Sequence, residues 1–197
     1  WCMNRRVKLR KFKIWKVVNK ESGAEVRKDP ALIFKELCHS KQYSDIACLM
    51  ASSGSVDPNV SAAWPPSVGD LTALHMASVL GRRDVVAALI HAGAEINSTM
   101  DAGATPLCVA SGRNHVDVAR VLVEAGADMD KANDNGATPL YMASKQGHMD
   151  VARVLVEHGV DMDKADDKGA TPLYLASQQG HVDVARVLVE QGADINK

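Results

Sequence analysis

Thr72, Thr105, Thr138 and Thr171 follow one another at a constant spacing of 33 residues. Leu74, Leu107, Leu140 and Leu173 keep the same step, as do Ala77, Ala110, Ala143 and Ala176, and Gly93, Gly126, Gly159 and Gly192. No insertion breaks the register across the four units. A unit this short cannot bury its own apolar side chains, so it must stack on copies of itself.

Each unit reads as two short helices. In A-T-P-L-Y-L-A-S-Q-Q-G-H, Thr171 is a helix N-cap and Pro172 takes the first helical position, where no N–H is needed. Gly180 ends the helix as a left-handed residue, with Gly81, Asn114 and Gly147 as its counterparts. Asn tolerates that conformation best among residues other than Gly. H-V-D-V-A-R-V-L-V-E-Q-G supplies the second helix, closed by Gly192. Asp183, Arg186 and Glu190 form a solvated stripe with i,i+3 and i,i+4 charge pairing, repeated as Asp117, Arg120, Glu124 and as Asp150, Arg153, Glu157. The other faces are Val, Leu and Ala, which demands cover from both neighbours. A-D-x-D/N linkers supply turn chemistry between units.

The T-P-L-x-x-A core at this period resembles the ankyrin repeat. It stands here as T-A-L-H-M-A, T-P-L-C-V-A, T-P-L-Y-M-A and T-P-L-Y-L-A, over about residues 67–197. The usual His after T-P-L survives only as His75; Cys108, Tyr141 and Tyr174 replace it. Asp70 stands where later units have Gly103, Gly136 and Gly169, so a distorted first hairpin is expected. The expected fold is all-α: a solenoid of stacked helix–turn–helix units with short β-hairpin turns.

The domains read as a basic arm at 1–29, disordered or folded into a small hairpin; a degenerate capping repeat with a Pro-containing insertion at 30–66; and repeats at 67–99, 100–132, 133–165 and 166–197. Asp29-Pro30 and Ser44-Asp45 are the helix starts of the capping segment. The last unit closely copies the one before it, so a continuing array is expected, with some of Leu173, Leu175, Val184 and Leu188 facing the next unit. Trp1 in place of Met suggests a fragment, a processed form or a reading frame extended upstream of Met3.

Aromatics are only 4% of the 197 residues, so the core is built from Ala, Val and Leu. Net charge is −1, but residues 1–28 hold ten Lys/Arg against two Glu, and the rest hold thirteen against twenty-two Asp/Glu. The arm therefore offers nucleic acid or an anionic membrane as partner, with Phe12 and Trp15 available for stacking. A solubilising tail is the plain alternative, and K-I-W-K-V-V and A-E-V-R around N-K-E-S-G allow a hairpin. Cys2, Cys38, Cys48 and Cys108 lack metal or disulfide spacing and fit reduced thiols of an intracellular protein, cytoplasmic or nuclear. Neither a signal peptide nor an apolar membrane span is evident.

Nothing converges into a catalytic set, and no cofactor, metal or small-molecule substrate is expected. His115, His148 and His181 recur in phase, which marks a structural turn residue. The resemblance implies a protein-binding concave surface of hairpin tips and first-helix ends. By position it comprises Val79 and Leu80; Asp101 and Arg113; Asp134, Asn135, Lys145 and Gln146; and Asp167, Lys168, Gln178 and Gln179. The expected function is a non-enzymatic scaffold or adaptor; a tether through the arm and a regulatory module of a larger enzyme or channel are the alternatives.

Overall fold

The computed structural model describes residues 72–197 and two strands nearer the N-terminus. The chain divides into two units, Trp1–Gln42 and Tyr43–Lys197. In the first, β1 (Lys16–Val18) pairs antiparallel with β2 (Glu25–Arg27), with Val17 opposite Val26. This is the segment whose alternation allowed a hairpin. The capping repeat, the distorted first hairpin and the ends of the arm lie outside the described residues.

In the second unit, residues 72–197 carry eight α-helices in four pairs. They are α1 (Ala73–Val79) with α2 (Arg83–His91), α3 (Pro106–Gly112) with α4 (Val116–Glu124), α5 (Pro139–Gln146) with α6 (Met149–Glu157), and α7 (Pro172–Gln178) with α8 (Val182–Glu190). The first helices pack side by side in chain order, as do the second helices, and each pair packs within itself. Residues 72–197 are thus a stack of four helical hairpins, here units 1 to 4.

Local chemistry explains the starts and stops. Thr72, Thr105, Thr138 and Thr171 each accept a backbone N–H with Oγ1 at a first-helix N-cap. Such caps are worth about 1 kcal/mol each. Pro106, Pro139 and Pro172 sit in the first turn. After each first helix the chain turns through a left-handed residue: Gly81, Asn114, Gly147 or Gly180, at φ of 66°, 60°, 73° and 73°. Leu74, Leu107 and Leu140 are fully buried, with Leu89, Leu122, Leu155 and Leu188 behind them.

One expectation is corrected and another is narrowed. The Asp/Arg/Glu stripes on α4, α6 and α8 are exposed but unpaired; among the described residues the ion pair present is Arg82–Asp84 at 3.4 Å. Water satisfies these charges, and holding long side chains in one geometry costs more entropy than a surface pair returns. In unit 4 the outward-facing set narrows to Leu173, which is half-exposed, while Leu175, Val184 and Leu188 are buried. The apolar groups that meet solvent there are Tyr174, Val182, Val189 and Ile195. Leu175 packs against Ala137 and Tyr141 of unit 3.

Candidate functional site

The surface follows from what the stack leaves uncovered. In α5 the positions that are not buried are Met142, Lys145 and Gln146. Their i, i+3, i+4 spacing makes them one helix face. The equivalents are Met76, Val79 and Leu80 in unit 1, and Val109, Gly112 and Arg113 in unit 2, none of them buried. Because the first helices lie side by side in register, these faces join into one continuous inner face. Lys145, Gln146, Arg113, Gln178 and Gln179 are exposed on it. Val79 and Leu80 are half-buried, and the Val79 carbonyl is engaged by His115.

The hairpin tips form a second row. Asp101 lies in a 3-10 turn, Asp101–Gly103; Asp134 and Asn135 form the next tip, and Asp167 and Lys168 the last. All five polar side chains are exposed. The tips are joined by backbone hydrogen bonds, Asp134 N–H to Ala102 O at 3.0 Å and Asp167 N–H to Asn135 O at 3.2 Å. The Asp134 side chain and backbone lie so close to Gly103 that a Cβ there would collide with them. Tips 3 and 4 are braced by an Asx turn: Asn133 Oδ1 accepts from Asn135 and Ala137, and Asp166 Oδ1 accepts from Lys168 and Ala170. Met100 occupies that position at tip 2, where its thioether makes no such turn bond. Ala102 there takes φ +65°, a conformation that strains an L side chain.

Rigidity comes from groups that reach across units. His115, His148 and His181 donate from Nε2 to the carbonyls of Val79, Gly112 and Lys145 at 3.0, 3.3 and 3.2 Å. A carbonyl only accepts, so Nε2 carries the proton. The histidines are structural latches between units, a reach that a reading confined to one turn did not foresee. Two of the residues after T-P-L behave alike: His75 Nε2 donates to Ala104 O at 3.0 Å and the Tyr141 hydroxyl donates to Asp166 at 2.8 Å, whereas Cys108 Sγ, 3.6 Å from Lys131 O, stays within unit 2. Burial depresses the His75 pKa and raises that of the Cys108 thiol. Burial first, then Asp166, pushes Tyr141 up to about 12. The Ala170 N–H, then Tyr141, holds Asp166 below its ordinary range. At the opposite edge, Asp130 and Asp163 accept the N–H of Asp161 and Asp194, and Lys131 and Lys164 donate to the carbonyls of Asn97 and Asp130.

Among the described residues no group of three His, Cys, Asp or Glu side chains could hold a metal ion. No helix among them is long and apolar enough to cross a membrane. The arrangement provides a pre-ordered surface: a row of polar helix ends, a row of tips, and half-buried apolar groups between them.

These features define a class, the helical-repeat solenoids. A family model described as ankyrin repeats (3 copies) matches residues 36–133 and 107–197, and the chain belongs to that family. The match begins well before Thr72, inside the segment read as a degenerate repeat. Ankyrin repeats typically mediate protein–protein interaction. No curated protein matches the chain at a significant level.

Proposed function

We propose that this chain is a scaffold or adaptor that holds a protein partner on its inner face, through Val79, Leu80, Asp101, Arg113, Asp134, Asn135, Lys145, Gln146, Asp167, Lys168, Gln178 and Gln179. The observation that carries this is the division of labour within each unit. His75, Tyr141, the phased His and the linker Asp are spent on unit-to-unit bonds, whereas Lys145 and Gln146 project from an ordered helix, Arg113 from a helix cap, and none of the three makes an ion pair. A surface ordered beforehand loses little backbone entropy on binding. Binding and presentation, without turnover, is the activity this supports.

The test compares proteins retained from cell extract by three forms of the chain. Changing Lys145, Gln146, Gln178 and Gln179 together to Ala should abolish specific retention and leave the melting temperature unchanged. Arg120→Ala with Arg153→Ala, on the outer stripe, should change neither. Equal loss from the outer pair would refute the assignment. The charge split of the sequence, ten Lys/Arg within residues 1–28, favours a second reading in which the arm tethers the scaffold to a polyanion. That reading expects affinity for nucleic acid to fall steeply with salt.

A further inference from the structure

The inner face of units 2 and 3 is divided by charge. Its floor is apolar and in register: Val109 and Met142, continued by Met76 of unit 1, each half-buried, on first helices that lie side by side. One rim, at the helix ends, carries Arg113 and Lys145, both exposed. The other, at the tips, carries Asp101 and Asp134, also exposed. None of these four charges forms an ion pair. In unit 4 the contrast fades, because Lys168 adjoins Asp167 and Gln178 stands where unit 3 has Lys145. Unit 1 has apolar Val79 and Leu80 at the helix end.

In the floor, one position lacks a side chain and is covered by a neighbour. Gly112 lies in the helix between Val79 of unit 1 and Lys145 of unit 3 in the same row. The side chain nearest to where its Cβ would stand is Met142, whose Cε is 3.2 Å away. A thioether on three rotatable bonds is an adaptable cover, able to move over an incoming apolar group.

We infer that units 2 and 3 accept a segment of a partner protein whose charges are split the opposite way. It places a large apolar side chain over Met142 and Gly112, carboxylates toward Arg113 and Lys145, and a basic side chain toward Asp101 and Asp134. This rests on the inner-face reading above and adds the chemistry of the ligand. Desolvation of the anchor supplies affinity, while the two rims fix orientation and reject segments of uniform charge. A polyanion satisfies only one rim and is repelled by the other.

A random peptide library displayed on phage and selected against the full chain tests this. Wild type should enrich peptides with an apolar anchor flanked by acidic residues on one side and basic residues on the other. Against R113E/K145E, those peptides should weaken at least about ten-fold, a free-energy loss of about 1.4 kcal/mol. Selection on that variant should yield basic residues in place of acidic ones. D101K/D134K should do the converse. These are exposed surface positions, and melting temperatures confirm that the variants fold. Suppose instead that peptides are lost with the four-residue Lys145, Gln146, Gln178, Gln179 variant yet keep the same charge pattern on both charge reversals. The inner-face reading then stands and the charge-split ligand is wrong. Peptides indifferent to all these changes overturn both, as does occupation of this face by a second copy of the chain or by an oligonucleotide that competes with the selected peptides.

Discussion

Units 3 and 4 are nearly one sequence in two settings. Residues 136–157 and 169–190 differ only where Met142, Lys145 and Met149 become Leu175, Gln178 and Val182. Yet Tyr141 is 9% exposed and Tyr174 52%. Leu140 is fully buried and Leu173 half-exposed; Ser144 is buried and Ser177 exposed. A Cβ on Gly147 would meet His181 at 2.6 Å, whereas nothing lies within 4 Å of the same point on Gly180. Three substitutions do not produce such differences. Unit 3 is covered by units 2 and 4, and unit 4 is covered only by unit 3 among the described residues. In a nearest-neighbour stack, the environment of a side chain is set by the adjoining unit rather than by its own sequence.

Equivalent substitutions in the two units should therefore have unequal effects. The largest difference is expected for the T-P-L leucine. Leu140→Ala should cost about 3–5 kcal/mol, and Leu173→Ala less than about 2, because a half-exposed site leaves a smaller cavity. Denaturant melts of the two variants measure this, and equal losses would break the comparison. Next is the turn glycine. Gly147→Val combines a left-handed φ with a collision against His181, and should cost about 2–4 kcal/mol; Gly180→Val carries the backbone strain alone, about 1–2. Asn114, with φ +60° in the same place, already bears a Cβ, and Asn114→Gly should be neutral or slightly stabilising.

The tyrosines sharpen the comparison through pH. Tyr141 has a folded pKa raised from 10.0 to about 12 by burial and by its bond to Asp166. Its contribution to stability is full below pH 10 and is lost as pH rises toward about 12. Tyr141→Phe should remove that alkaline loss, and Tyr174→Phe should leave it in place; identical alkaline titrations of melting temperature for the two variants would contradict this. His75 acts in the opposite direction. Its pKa is depressed from 6.5, so its contribution is full above that pH and declines on acidification through the folded value. The smallest effect is at the serines. Ser144 Oγ is buried without a hydrogen-bond partner, and Ser144→Ala should stabilise by about 1 kcal/mol; Ser177→Ala should change nothing measurable.

Much of this architecture was legible from particular residues. Thr caps, Pro at the first turn and the Gly/Asn turn residues are local chemistry, and they read directly as helix starts and stops. The latches were not legible. His115 looks like a turn residue until its Nε2 is seen on Val79, 36 positions earlier, and Tyr141 hides its bond to Asp166 behind 25 residues of chain. Those contacts depend on how units stack, which the period implies but does not dimension. The polar stripes misled in a different way: spacing on a helix permits Asp117–Arg120 pairing, but exposed charges prefer water. For the inner face, the positions were legible from the resemblance. The division of its rims by sign emerges only when tips and helix ends are set beside each other.

The central claim is that neighbours, not sequence, decide the order of each unit, and that the inner face is rigid where units are covered on both sides. Amide hydrogen exchange of α5 against α7, in the free monomer, tests it most directly. The account predicts α5 to be protected by at least about ten-fold more than α7, a difference of about 1.4 kcal/mol in opening free energy, despite their almost identical sequences. Equal protection of the two helices in a monomer would contradict it.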